Sequence, residues 1–185
     1  MIFVPCTTSL VAYSIIFRSL FANNGLVNYV LVNLGILDKP YNFLTQPFAA
    51  KMVIILALLW RWTGYNMVFF LSGLQNIEYS VYEAAKIDGA SAIQTFFKIT
   101  VPLLKPTILL TAIMSTNGTL QLFDESINLT DGGPANASIS MSHYIYNLCF
   151  KYVPNFGYAA AMSFFILLLV AVLAFIQMRV GDKRD

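Results

Sequence analysis

Long apolar stretches separated by short polar connections constrain this sequence more than any other feature. The cleanest stretch runs from Phe156 to Met178, and two others cover about Ala49 to Leu74 and Leu103 to Leu122. About twenty apolar residues let a helix cross the roughly 30 Å hydrocarbon core of a bilayer. Because the bilayer core offers the backbone no water, its polar groups must bond within each segment. The sequence therefore predicts an all-α, polytopic helical bundle in a membrane.

Composition supports this class and excludes several others. Hydrophobic residues make up 58% of the 185 residues and charged residues only 11%, against about 25% charged residues in soluble domains. A net charge of +2 is too small to indicate a nucleic-acid partner. His143 is the only histidine, and Cys6 and Cys149 lie far apart. We therefore expect membrane lipid around the chain and no bound metal.

The first part of the chain is less regular. A ragged apolar stretch covers roughly Ile2 to Leu20 and lacks the basic start of a signal peptide. The next stretch is broken by Gly35, Pro40 and Pro47, which predicts an interfacial helix and a loop. We expect about four spans in one transmembrane domain, residues 1–185, that begins partway into a longer bundle.

The distribution of Lys and Arg predicts the orientation. Six basic residues lie at the end of the bundle that holds residues 76–102 and the C-terminus, and four lie at the other end. Cytoplasmic loops carry the excess of Lys and Arg. Residues 76–102 and the C-terminus are therefore expected in the cytoplasm, and residues 123–155 outside.

Residues 76–102 form an unusually polar connection between two spans. Apolar positions three and four residues apart predict two short amphipathic helices. Gly89 stands where a left-handed residue ends the first helix, Ser91 can cap the second, and Pro102 is expected to end it. This pattern fits a device that docks a cytoplasmic partner, and equally a loop that lies on the membrane surface.

The residues of this connection resemble a known signature. They read Glu83-Ala84-Ala85, three residues, Gly89, nine residues, then Ile99-x-Val101-Pro102. This is similar to the EAA motif of the membrane-spanning subunits of binding-protein-dependent ABC importers, with Val101 in place of the usual leucine. The segments at 60–77, 122–138 and 156–169 resemble the carbohydrate branch of that family, typified by maltose and glycerol-phosphate permeases.

The resemblance implies a permease subunit of an ATP-driven importer of di- or oligosaccharides. The partners would be a second permease subunit in a heterodimer, a cytoplasmic ATPase dimer and an extracytoplasmic solute-binding protein. No Gly-x-x-x-x-Gly-Lys-Ser/Thr sequence occurs, so ATP would be used by the ATPase partner and this chain would be neither an enzyme nor a cofactor carrier. Further N-terminal helices and a bacterial inner-membrane location are also implied. The coupling residues carried over are Glu83, Ala84, Ala85, Asp88, Gly89, Ile99 and Pro102.

A polar run near the end of the third span is the candidate substrate path. Polar groups inside a span are expensive in lipid and should face a cavity or another helix. At helical spacing Ser115, Gly118, Thr119 and Leu122 share one face, and the run resembles the sugar-contacting stretch of maltose-type permeases. Helix–helix packing is the alternative, since small polar residues also favour close contact between helices. The path candidates are Gly64, Tyr65, Asn66, Ser115, Asn117, Gly118, Thr119, Gln121 and Leu122.

The sequence argues against two other classes of membrane protein, and it places one charged residue inside a span. A secondary transporter or channel would be expected to hold ionisable carboxylates well inside its spans, and none is found there. A membrane enzyme would have to use the adjacent carboxylates Asp124 and Glu125 without a histidine partner beside them. Arg61 lies inside a span, where it can serve function or simply stack on a neighbouring tryptophan.

Overall fold

The computed structural model describes residues 8–181 as helices and connecting turns without a strand. This confirms the all-α prediction. In chain order the longer helices are α1 (Leu10–Leu20), α2 (Leu26–Asn33), α3 (Pro47–Gln75), α4 (Tyr79–Ile87), α5 (Ala92–Leu103), α6 (Lys105–Leu120), α7 (Asp124–Leu129), α8 (Met141–Tyr146) and α9 (Phe156–Gly181).

The described helices account for fewer full spans than the four expected. Helices α3 and α9 are long and apolar enough to cross a membrane, and α5 with α6 makes a third candidate if the bent pair counts as one span. Helix α1 is apolar but holds 11 residues, about 16 Å of helix. The predicted first span also includes residues 1–7, which lie outside the described range. A helix is present before α3, as expected, namely α2; its position at the membrane interface stays a prediction.

A sharp elbow joins α5 to α6. The axes of the two helices differ by 65° at the single residue between them, Leu104. The expectation that Pro102 ends α5 is wrong, because the helix continues through it to Leu103. A π-helical stretch over Phe96–Thr100 widens the preceding turn. The helix therefore resumes with Pro102 in its first turn, where proline needs no backbone donor.

Close packing against α3 fixes the direction of α6. A Cβ atom on Gly73 would lie 2.8 Å from Leu104 and 2.9 Å from Thr107. Further along, a Cβ atom on Gly118 would lie 2.5 Å from the Trp62 ring. Because glycine stands at both points, α3 and α6 approach more closely than larger residues would permit.

Residues 123–149 are largely packed against the helices, whereas residues 150–155 are exposed. Helix α7 folds back against α1 and α3, and Glu125, Ser126 and Leu129 are buried there. Helix α8 continues as a π-helical turn over Asn147–Lys151 and contacts α9. Glu125 reaches Arg61, which lies midway along α3. The chain therefore brings a carboxylate to the middle of a candidate span, where the sequence had suggested none.

Candidate coupling loop and substrate path

The turn between α4 and α5 is held by a complete set of backbone bonds. Gly89 has φ of 75°, and its N–H donates to the Lys86 carbonyl at 3.2 Å. The N–H of Ala90 donates to the Ala85 carbonyl at 3.0 Å. This pair of bonds is the Schellman arrangement, which needs a left-handed residue at the position of Gly89. The prediction for Gly89 is confirmed.

The start of α5 is fixed by a capping box. The Ser91 hydroxyl accepts from the Gln94 N–H at 3.3 Å, and the Gln94 side chain accepts from the Ser91 N–H at 2.9 Å. The predicted cap is therefore confirmed. The Tyr82 hydroxyl lies 3.3 Å from the Thr100 hydroxyl and ties α4 to α5. With both ends of the turn bonded, the loop has the connections of a rigid unit.

The coupling candidates differ in their exposure. Glu83, Ala84, Asp88, Gly89 and Pro102 are exposed, and Ile99 is half-buried. Ala85 is covered by the chain itself, with 6% of its surface exposed. The loop also exposes large apolar side chains, namely Tyr79, Ile87, Ile93, Phe96 and Phe97. An apolar surface with charges at its edge is typical of a protein interaction site.

The path candidates on α6 lie on two different faces of the helix. Asn117 and Gln121 line an open cavity of about 560 Å³ between α6, α8 and α9. The Gln121 side-chain amide donates to the Asn117 side-chain oxygen at 2.7 Å. Ser142 and Ser163 add hydroxyl groups to a wall that is otherwise mostly apolar. A cavity of this size with a few polar groups has the character of a small-molecule site.

The remaining candidates on α6 are engaged elsewhere. Ser115 and Gly118 face α3, where the Asn66 amide lies 3.5 Å from the Ser115 hydroxyl. Thr119 bonds the Ser115 carbonyl of its own helix at 2.8 Å, and Leu122 follows the end of α6. Ser115 and Gly118 share a face, as helical spacing predicts, but that face packs against α3 and does not line the cavity.

The candidates on α3 border the contact with α6. Gly64 is buried in α3. The Tyr65 hydroxyl lies 3.9 Å from the Met114 sulfur, a weak contact. The Asn66 side-chain oxygen is buried without a hydrogen-bond partner among residues 8–181. A buried amide oxygen that lacks a donor is unusual, so Asn66 is the residue of this group best suited to a ligand or water.

Arg61 joins three helices at the centre of the fold. Its guanidinium lies 3.3 Å from Glu125 on α7 and 5.5 Å from the centroid of the Tyr13 ring on α1. The Tyr13 hydroxyl donates to the same Glu125 oxygen. The sequence left open a stacking contact between Arg61 and a neighbouring tryptophan. The aromatic ring against Arg61 is Tyr13, since α1 packs between α3 and α7.

Sequence reasoning could have found part of this cluster. An arginine inside a span needs a carboxylate, and Asp124 and Glu125 are the carboxylates next to the end of the third span. Nothing in the sequence singles out Tyr13, nor Ser142 and Ser163 in the cavity. Their positions depend on contacts between elements far apart in the chain.

A second polar cluster holds the segment between α7 and α8. The Ser126 hydroxyl lies 2.9 Å from His143 Nδ1, and Lys151 lies 2.8 Å from an Asp131 oxygen. The hydrogen bond from Lys151 lowers the pKa of Asp131, and the same bond raises the pKa of Lys151. Burial lowers the pKa of His143, while Asp131 acts in the opposite direction.

The sequence of this chain matches a known family of membrane proteins. The family described as binding-protein-dependent transport system inner membrane component matches residues 1–184. A lactose transport system permease protein of Rhizobium radiobacter is 55% identical over 100% of this chain and 62% of its own length. A trehalose/maltose transport system permease protein of Thermococcus litoralis is 37% identical over 86% of this chain and 53% of its own length.

Solved structures show the same fold. A bacterial ABC transporter involved in the import of alginate matches with a TM-score of 0.85 at 24% identity, over 97% of this chain and 63% of the matched chain. The alginate transporter in complex with a pentasaccharide-bound periplasmic protein gives a TM-score of 0.76 at 26% identity, over 98% of this chain and 61% of the matched chain. This chain therefore spans less than two thirds of the length of each of these proteins.

The first prediction concerns the Arg61–Glu125 pair. Arg61→Met should lower the free energy of unfolding by about 3 kcal/mol, because it leaves a buried carboxylate without its cation. Arg61→Met combined with Glu125→Gln should lose much less than the sum of the two single variants. Chemical unfolding in detergent measures both effects. Lys151→Met is the control, since solvent screens its exposed pair with Asp131 and its loss should change stability little. Strict additivity of the Arg61 and Glu125 variants would contradict a coupled pair.

The second prediction concerns Gly118. Gly118→Ala should destabilise the protein by about 1–3 kcal/mol, because the new methyl group overlaps the Trp62 ring. Gly157→Ala is the matched control, since its nearest neighbour would be an Asn155 oxygen at 4.0 Å. Thermal unfolding of the two variants in the same detergent gives the comparison. Equal stability of both variants would show that α3 and α6 are not in close contact at this point.

Proposed function

The chain belongs to the family of binding-protein-dependent transport system inner membrane components, and from this premise we propose that it is a permease subunit of an ATP-driven sugar importer. The observation that carries the proposal is 55% identity, over the whole chain, to a lactose transport system permease protein. Di- and oligosaccharides are the proposed substrates. A solute-binding protein would deliver the sugar to the outer side.

The loop of α4 and α5 is the proposed site of coupling to an ATPase subunit. Its turn is fixed at both ends, and Tyr82 ties its two helices together. The loop leads into α6 through the elbow at Leu104. The missing side chain at Gly73 lets α6 pack closely against α3 at this point. A force applied to the loop by a closing ATPase dimer would therefore move α6. ATP hydrolysis itself is assigned to the separate ATPase subunit.

The roles of individual loop residues follow from their exposure. Glu83 and Asp88 are exposed and would meet basic residues of the ATPase. Ala84 and Gly89 leave room for a close approach of the partner. Ala85 is covered within this chain, so we assign it to packing within the loop. Ile99 and Pro102 would join the loop to the elbow.

The cavity bordered by Asn117 and Gln121 is the proposed part of the sugar path in this chain. Side-chain amides can both donate to and accept from sugar hydroxyl groups. Ser142 and Ser163 lie on the opposite walls and offer further hydroxyl groups. A second permease subunit would close the open side of the cavity. This arrangement calls for an inner-membrane location with the α4–α5 loop and the C-terminus in the cytoplasm.

Crosslinking tests the coupling role. Cysteine in place of Ile87, whose side chain is 86% exposed, should form an ATP-sensitive crosslink with the ATPase subunit of the assembled transporter. The background replaces Cys6 and Cys149 by serine. Cysteine at Leu34, 68% exposed near the opposite end of the fold, should give no such crosslink. Absence of a crosslink at Ile87, with the ATPase subunit present, would contradict the coupling role.

Lactose uptake by proteoliposomes of the whole transporter tests the path. Gln121→Ala and Asn117→Ala should each reduce uptake about fivefold to tenfold, since each removes a hydrogen bond of about 1 kcal/mol or slightly more. ATPase activity stimulated by the binding protein should persist. Asn33→Ala, at an exposed position on α2, is the control. Normal uptake by both cavity variants would remove this cavity from the path.

A further inference from the structure

His143 is buried in a cluster that leaves one ring nitrogen without a hydrogen-bond partner among residues 8–181. The residue has 0% exposure, and its Nδ1 atom lies 2.9 Å from the Ser126 hydroxyl. That hydroxyl donates its only proton to the Ser138 carbonyl at 2.9 Å. While the hydroxyl keeps that bond, Nδ1–H is the donor to Ser126. Nε2 of the neutral ring then carries a bare lone pair.

The bare nitrogen faces a carboxylate across a short gap. His143 Nε2 lies 3.9 Å from Asp131 Oδ1, and Nε2 has no hydrogen-bond partner among the residues described. Both atoms are acceptors, so the contact is unfavourable as it stands. One proton on Nε2 would convert it into a charge-assisted hydrogen bond. Closing the gap to the usual length of such a bond requires Asp131 to move by about 1 Å.

The backbone around Asp131 is held in an unusual conformation. Asp131 has φ of 49°, and Gly132 and Gly133 follow with φ of 84° and 70°. Ala135 and Asn136 are also left-handed, with φ of 51° and 60°. Side chains beyond glycine adopt this region at a steric cost, which is larger for Ala than for Asp or Asn. The turn 131–136 therefore holds some backbone strain, chiefly at Ala135, that a change of conformation would release.

We propose that His143 and Asp131 form a proton-binding site that switches the turn 131–136 between two conformations. In the neutral state Asp131 pairs with Lys151 alone. In the acid state His143 Nε2–H donates to Asp131, which moves inward and shares its charge between two cations. The biological role of this switch rests on the proposed function, because a sugar-binding protein would dock on the outer side, where this turn lies.

The charges around the site favour a proton as its occupant. Asp131 and Lys151 act on His143 in opposite directions, and Arg18 on α1 acts on Asp131. Glu125 on α7 is turned towards Arg61 and Tyr13. Lys151 Nζ lies 2.8 Å from the same Asp131 oxygen that faces His143. A divalent cation at this oxygen would be repelled by that ammonium, whereas a proton on Nε2 is shielded by the carboxylate.

The direction of the pH response follows from burial. Burial lowers the pKa of His143 below its ordinary value of about 6.5. The neutral ring therefore contributes stability that is fully present above the ordinary pKa and is lost as pH falls through the lowered pKa. The switch should act on the acid side of neutrality. At neutral pH the turn keeps the conformation described above.

Nuclear magnetic resonance of the full chain in nanodiscs tests the site. His143 is the only histidine, so ¹⁵N-histidine labelling reports one ring. We expect the Nδ1–H tautomer at neutral pH and a midpoint below the ordinary value. Asp131→Asn should shift the midpoint to lower pH, and Lys151→Met should shift it to higher pH. Asp38→Asn and Lys39→Met, both at exposed positions, should leave it unchanged.

The amide signals of Gly132 and Gly133 test the switch itself. As the pH is lowered, these signals should shift with the same midpoint as the His143 ring. In His143→Asn, which keeps a donor near Ser126, they should no longer depend on pH over the range in which His143 titrates. A midpoint unaffected by Asp131→Asn would overturn the proton site, and glycine signals that ignore the titration of His143 would overturn the switch. Neither measurement involves sugar, ATP or a partner, so its failure would leave the proposed transport function untouched.

Discussion

The contact of Arg61 with Glu125 and Tyr13 is the interaction on which the rest of this fold depends. It joins α1, α3 and α7 through one carboxylate that accepts from both a guanidinium and a phenol. A charge inside a membrane bundle is tolerated only with such partners. Because Glu125 is fixed at the level of Arg61, α7 must fold back into the bundle. The segment from α7 to α8 is consequently packed, and it forms a wall of the cavity beside α6.

The close contact between α3 and α6 connects this centre to the α4–α5 loop. Gly73 and Gly118 allow close contact at two levels of the same interface. Because Leu104, Thr107 and Trp62 fill the space beside these glycines, sliding of α6 along α3 would cause steric overlap. In the proposed mechanism, the elbow at Leu104 passes a movement of the loop on to α6. Asn117 and Gln121 project from the opposite side of that helix into the cavity. The loop, the elbow and the helix that lines the cavity therefore follow one another directly along the chain, as the proposed coupling would require.

Features that depend on neighbouring residues could be predicted well from the sequence. Gly89 as the left-handed end of α4 and Ser91 as the cap of α5 were both found by residue type and spacing, since the bonds that select them are local. Pro102 was predicted wrongly because the π-helical stretch before it changes which backbone donors are needed. The residue pattern of α6 left two roles open for its small polar face, the substrate path and packing against another helix. Helical spacing shows which residues share a face, but not which face meets α3.

The sequence by itself determined an all-helical membrane chain, its EAA-like loop and the family to which that loop belongs. The physical reason is that lipid admits only segments that satisfy their own backbone, and such segments are visible as apolar length. Only the tertiary structure decided that Tyr13 is the aromatic partner of Arg61, that Asn117 and Gln121 share a cavity with Ser163, and that His143 faces Asp131. Each of these contacts joins residues that are far apart in the chain or separated by a turn. Whether such residues come into contact depends on how the helices pack against one another, and a local sequence pattern does not specify this.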